Sequence, residues 1–117
     1  MAVSITTLKD RADFLRLRNG RKVMTPFFIL RAAPSNVPGQ TGARVGYTVT
    51  TKCGNAVVRN RIKRRLRALV REIFPQSARA GHDYIFIALD KASPSAGVAP
   101  MADLRAAMEK AVLSMHR

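Results

Sequence analysis

The run Arg44-Val45-Gly46-Tyr47-Thr48-Val49-Thr50-Thr51-Lys52-Cys53-Gly54-Asn55-Ala56-Val57-Val58-Arg59-Asn60-Arg61-Ile62-Lys63-Arg64 changes its hydrophobic period midway. From Arg44 to Thr51, Val45, Tyr47 and Val49 alternate with Gly46, Thr48 and Thr50, the period-two pattern of a half-buried strand. Lys52-Cys53-Gly54-Asn55 makes a tight connection, and from Ala56 to about Phe74 the pattern is helical. Val58, Ile62, Leu66, Leu69, Val70 and Ile73 fall within an arc of about 120°, which marks a core-facing side. Asn60, Lys63, Arg64, Arg67 and Arg71 occupy a separate arc of about 100° on the far side. Arg61 lies beside this cationic stripe, and Arg59 and Arg65 lie at the edges of the apolar face. Pro75 is expected to stop the helix.

Upstream, Thr7 with Asp10 three residues later resembles a capping box. The spacing of Leu8, Ala12 and Leu15 predicts a short amphipathic helix ending near Asn19-Gly20. A short strand is placed at Arg21 to Met24, and Pro26 precedes a second strand that starts at Phe27-Phe28-Ile29-Leu30 and continues through Ala33. Pro34 to Gly42 is a loop. Downstream, Tyr84 to Leu89 is continuously apolar, as expected of a strand covered on both faces. Ala92 to Pro100 reads as another loop, and a last helix follows with Pro100 in its first turn and Leu104, Met108, Ala111, Val112 and Met115 facing inward. The reading is an α/β chain, an α+β sandwich of about four strands and three helices in the order α-β-β-β-α-β-α, forming one domain over residues 1–117. The strand-helix-strand unit from Arg44 to Leu89 allows its two strands to run parallel, and such crossovers are right-handed in about 98% of cases.

A chain of 117 residues, 47% of them apolar, can bury a core without disulfide or metal staples. The single Cys53 cannot form an internal disulfide, so a reducing cytoplasm is the expected compartment. No stretch has the length of a signal peptide or a membrane span. Charge is the strongest compositional feature: 21 Lys and Arg face 7 Asp and Glu, for a net +14. Between Phe14 and Arg71 there are fourteen basic side chains and no acid, while elsewhere the two signs cancel. This asymmetry predicts a polyanionic partner. A basic surface kept only for solubility would not require acids to be excluded over so long a segment.

No enzyme constellation is present in the sequence. His82 and His116 join no set of Cys, His or carboxylates at zinc-site spacing. Lys52 beside Cys53 could lower the thiol pKa, but without a second Cys or a His partner Cys53 reads as a small apolar residue. Gly54-Asn55-Ala56 opens a helix without the glycine spacing of a phosphate-binding loop. The basic helix is the specific feature. Along it phosphates could be neutralised, the helix N-terminus near Asn55 adds N–H donors, and Asn60 could bond a base edge or 2′-hydroxyl. A membrane-surface helix is disfavoured, because the apolar face belongs to the core.

The quoted run resembles the signature of the protein component of bacterial ribonuclease P. The resemblance extends to the helix carrying Asp13-Phe14 and to the strands at Phe27 to Leu30 and Tyr84 to Leu89, nearly the whole chain. It implies a ribonucleoprotein endonuclease in which an RNA subunit, acting with magnesium ions, removes the 5′ leader of precursor tRNA. No catalytic residue, metal ligand, membrane or small-molecule substrate is then expected of the protein itself. It further implies that Arg59, Asn60, Arg61, Lys63, Arg64 and Arg67 contact the catalytic RNA, and that Phe14 and Lys52 belong to a leader-binding cleft of first helix and sheet. The family also carries an unusual left-handed crossover, which replaces the general expectation above. Two positions depart from the family pattern: Arg18 and Arg31 stand where aromatics are common, which makes leader binding more electrostatic. The alternatives are a structural RNA-binding protein such as a ribosomal protein, which composition fits nearly as well, and a duplex-DNA module using the basic helix in a major groove.

Overall fold

The computed structural model describes residues 2–91 and 94–116. Among these, five strands and three α-helices follow in the order β1 (Ile5–Thr7), α1 (Arg11–Leu17), β2 (Arg21–Met24), β3 (Phe28–Pro34), β4 (Ala43–Thr48), α2 (Ala56–Ser77), β5 (His82–Ala88) and α3 (Met101–Met115). A 3-10 turn at Thr51–Cys53 joins β4 to α2. No helix among the described residues is long and apolar enough to cross a membrane.

The strands form one sheet in the order β1-β4-β5-β3-β2. β4 is parallel to both β1 and β5, while β3 is antiparallel to β5 and β2. Alternation along the strands sends one set of side chains to each face. Phe28 and Leu30 of β3, Val45 of β4, and Tyr84 and Phe86 of β5 meet Ile62, Leu66, Leu69, Phe74, Leu104 and Met108 of α2 and α3 in the main core. Phe74 packs edge-on against Tyr84, with ring centroids 5.0 Å apart. On the opposite face, Ile85 joins Leu8 and Leu17, with Phe14, Ala33 and Ile87 packed around them beneath α1. β5 is thus covered on both sides, as its unbroken apolar run requires.

Several expectations are corrected. The sheet has five strands, because Thr6 and Thr7 pair with Arg44 and Val45 in β1 and are not part of a capping box. Their backbone groups are committed to the ladder, and the Leu8 N–H continues it onto the Val45 carbonyl at 2.9 Å. α1 starts after Asp10, whose side chain makes no cap bond, and its last residue is Leu17, with the turn at Asn19 and Gly20 following where the sequence placed the helix end. Its inward side is Asp13, Phe14 and Leu17, while Ala12 and Leu15 are exposed. Asp13 can face inward because two arginines meet it there. Pro75 lies inside α2, which runs on to Ser77. So close to the C-terminus a missing N–H costs little ladder, and the Pro75 carbonyl accepts from the Val3 N–H at 2.7 Å. Of the loop expected over Ala92 to Pro100, Ala92 and Ser93 lie outside the described residues. All five side chains expected to face inward from α3 are buried.

Candidate nucleic-acid interface

α2 begins with Asn55 as its N-cap, whose Oδ1 accepts from the Val58 N–H at 3.0 Å, so one of the free helix-end donors is already used. The burial of Ile62, Leu66, Leu69, Val70, Ile73 and Phe74 fixes the helix rotation, and Asn60, Arg61, Arg64, Arg67 and Arg71 then project into solvent. Lys63 and Arg59 are half-buried, and the Arg59 Nε has no hydrogen-bond partner among the described residues. Arg65 is employed in the fold: Nη1 donates to the Ala96 carbonyl at 2.6 Å and Nη2 to the Ala99 carbonyl, tying the loop before α3 to α2. Burial, with the nearby Arg61 charge, lowers the Arg65 pKa.

The opposite face of the sheet carries an open cleft of about 520 Å³ beside α1, lined by Lys9, Arg11, Phe14, Leu15, Arg18, Arg31, Thr48, Ile85 and Ile87. Phe14, Arg18 and Arg31 therefore come together, whereas Lys52 is exposed on the 3-10 turn and is not part of this lining. Arg31 is steadied by donation from Nη1 to the Gly20 carbonyl at 3.3 Å. The sequence reading missed Lys9, Arg11, Thr48, Ile85 and Ile87. Arg11, Phe14 and Arg18 stand at helical spacings of three and four, and Ile85 and Ile87 have the opposite parity to Tyr84 and Phe86, so both sets were recoverable in principle.

α1 is held over the sheet by an ionic cluster. Register places Asp83 of β5 next to Arg44 of β4. Arg44 grips it twice, Nε to Oδ1 at 2.9 Å and Nη2 to Oδ2 at 2.6 Å. Arg16 of α1 donates to the same carboxylate and to Asp13 at 3.2 Å, and Gln40 adds a bond at 3.2 Å. Burial pushes the Asp83 pKa up, but the bonds from Arg44, Gln40 and Arg16 outweigh it and leave the group below its ordinary value. Asp13 and Asp83 are thereby paired with arginines, and the cleft lining holds four cations, one aromatic ring and no carboxylate. Among the described residues, no group of three or more His, Cys, Asp or Glu gathers elsewhere. The arrangement suits a single strand whose phosphates meet the cations while a base rests on Phe14.

A family model described as Ribonuclease P matches residues 4–115. A protein of Erythrobacter litoralis (strain HTCC2594) named "Ribonuclease P protein component" is 51% identical over 80 residues, 68% of this chain and 64% of that protein. One of the same name from Gluconacetobacter diazotrophicus is 41% identical over 112 residues, 95% of each. The match thus spans just under two thirds of the first relative and nearly all of the second. The solved structure of the Staphylococcus aureus RNase P protein is similar with a TM-score of 0.73 at 28% identity, covering 95% of this chain and 94% of that one. The RNase P protein from Thermotoga maritima, 24% identical, shares the fold with a TM-score of 0.75 over 89% of this chain and 92% of that one.

Proposed function

The chain belongs to the ribonuclease P protein family, and from that premise we propose that it is the protein subunit of a cytoplasmic ribonucleoprotein endonuclease that removes the 5′ leader of precursor tRNA. The observation that carries this reading is the cleft whose lining has no carboxylate, where Lys9, Arg11, Arg18 and Arg31 line one space with Phe14. Cations that track a backbone beside an aromatic ring bind single-stranded nucleic acid, and a 5′ leader is such a strand. The exposed crest of α2, with Asn60, Arg61 and Arg64, contacts the catalytic RNA. The cleft lining offers neither a nucleophile with an adjacent base nor a carboxylate. On this reading hydrolysis belongs to the RNA subunit with its magnesium ions, as the family resemblance implies, and the protein acts as one RNA-binding unit over residues 1–117.

The test is cleavage of a precursor tRNA at low magnesium by a cognate RNA subunit, with and without the protein. Correct 5′ cleavage only when protein and RNA are together is the expected result. Binding without any change in cleavage would leave a structural RNA-binding role.

Two expected outcomes follow from the division of surfaces. Arg64→Ala should weaken binding of the RNA subunit and lower the slope of log K against log salt by about 1, one phosphate contact. Titration at several salt concentrations reads this directly. Arg18→Ala and Arg31→Ala should instead reduce affinity for leader-bearing substrate and its salt dependence, leaving affinity for leaderless tRNA unchanged. If both leader affinity and its salt slope stayed the same, neither arginine would contact the leader.

A further inference from the structure

Arg21 of β2, Arg79 between α2 and β5, His82 of β5 and His116 at the end of α3 line a cavity of about 160 Å³, together with Ala32 and Met115 and without any carboxylate. We propose that this cavity is an oxyanion site, in which Arg79, His82 and His116 hold one backbone phosphate of the RNA subunit. The inference rests on an RNA subunit being the partner, and it adds a contact that neither the α2 crest nor the leader cleft supplies. α2 has 22 residues and is therefore about 33 Å long, with Asn60, Arg61 and Arg64 near its start and Arg79 just beyond its end. Arg21 is paired with Ala32, which belongs to the main core, so the cavity lies on the helix-covered side of the sheet. No residue that lines the leader cleft lines this cavity, which makes the RNA subunit and not the leader the source of the phosphate.

The basic groups are held in place by the fold. Tyr84 is fully buried, and its hydroxyl oxygen accepts from the Arg79 N–H at 2.8 Å. Its one hydrogen is then donated to Nε2 of His116, so the neutral imidazole carries its own proton on Nδ1. His82 Nδ1 donates to the Ala80 carbonyl at 3.4 Å, which leaves Nε2 to take up a proton. Arg79 Nη2 donates to the His116 carbonyl at 3.2 Å, and the two imidazoles stand edge-on with centroids 5.5 Å apart. A cation at the end of α3 complements the helix dipole, but one charge serves that purpose and four basic groups around one space exceed it. Burial, with the charges of Arg79, His82 and Arg21, lowers the His116 pKa, so this crowding opposes charge on the ring. On its other side His116 borders the groove between α2 and α3 that holds Glu72, Arg105 and Glu109, where Arg105 is paired with Glu72. A phosphate reverses the balance, because it favours the imidazolium and accepts charge-assisted bonds from Arg79. Binding therefore takes up protons and strengthens as pH falls toward and below about 6.5, the ordinary histidine value.

The first experiment uses the whole chain and inorganic phosphate at constant ionic strength. The sequence has only two histidines, so proton NMR can follow both imidazole C–H signals, and His82→Gln assigns them. Saturating phosphate should raise the midpoint of the His116 titration by about half a pH unit or more, and Arg79→Gln should remove most of that rise. A midpoint that phosphate leaves unmoved would overturn the site, and this reading on the wild-type chain does not depend on how a variant folds. The second experiment titrates the RNA subunit. Arg79→Gln should lower its affinity about three- to tenfold at pH 6 and less at pH 8, reduce the slope of log K against log salt by about 1, and be rescued in large part by Arg79→Lys. If phosphate moves the titration but Arg79→Gln binds the RNA subunit as wild type does at both pH values, the cavity takes a free anion and the RNA contact is overturned. If the wild-type chain does not bind the RNA subunit at all, the proposed function fails and the RNA contact with it, an outcome that the phosphate titration keeps apart from failure of the site.

Discussion

Gly46→Ala is expected to displace Phe14 and to remove most of the leader-dependent affinity while leaving the RNA-subunit surface intact. A Cβ at Gly46 would stand 2.6 Å from Phe14 Cζ and 3.0 Å from Cε1, with the Leu8 carbonyl oxygen at 3.3 Å. The ring therefore rests directly on bare backbone of β4. It cannot simply ride upward, because Arg16 anchors α1 to the sheet through Asp83. Overpacking of this kind costs about 1–3 kcal/mol, which a denaturant midpoint will show. The functional loss should be separable from the structural one. Phe14→Leu in the Gly46→Ala background supplies a smaller side chain and should recover part of the stability, but not the leader affinity, because the stacking surface is gone. If Gly46→Ala alone left both stability and leader dependence unchanged, Phe14 would not be fixed where the structure places it.

How far the sequence could be read depended on whether a residue's role was local. The second helix was legible to the level of its faces, since the spacing of Ile62, Leu66, Leu69, Val70 and Ile73 sets its rotation and so the direction of Asn60, Arg64 and Arg67. The strand through Val45 and Tyr47 was equally plain, but the importance of Gly46 was not, because that depends on where α1 lands. β1 is three residues long, too short for any period to show, and its pairing with β4 is settled by tertiary contact. The ionic cluster was hidden for a related reason: Asp83 is 39 residues from Arg44 and 67 from Arg16. Nothing in a one-dimensional pattern marks Asp13 and Asp83 as buried, and an acid on a short helix reads as solvated. The cleft was half visible. Phe14, Arg18 and Arg31 follow from the family resemblance, but Thr48, Ile85 and Ile87 enter it only through the sheet order β4-β5-β3. Arg59 and Arg65 show the opposite limit. Each counts toward the basic run, yet Arg65 is committed to loop carbonyls and Arg59 is half-buried.

Asp83→Asn should be the most destabilising change on the cleft side of the sheet, and its effect should depend on pH. Asp83 is fully buried, and removing its charge leaves Arg16 and Arg44 with only Asp13 between them, 3.2 and 3.5 Å away. Breaking a buried pair costs about 3–5 kcal/mol, and the lower end is expected because both arginines keep a fifth to a quarter of their side chains in solvent. The direction of the pH dependence follows from linkage. The folded-state pKa of Asp83 lies below its ordinary value, so between the two values the unfolded chain binds more protons and stability rises with pH. The contribution is fully present above about pH 5 and is lost as pH falls below about 4, toward the folded value. Denaturant midpoints measured from pH 7 to pH 3 should therefore differ most between wild type and Asp83→Asn near neutrality, and the two curves should converge on acidification. Parallel curves would show that Asp83 is not the group whose charge secures α1. Convergence accompanied by a loss of leader affinity, with RNA-subunit affinity kept, would show that this buried carboxylate sets the cleft, since it touches α1 and the sheet but no part of the exposed α2 crest.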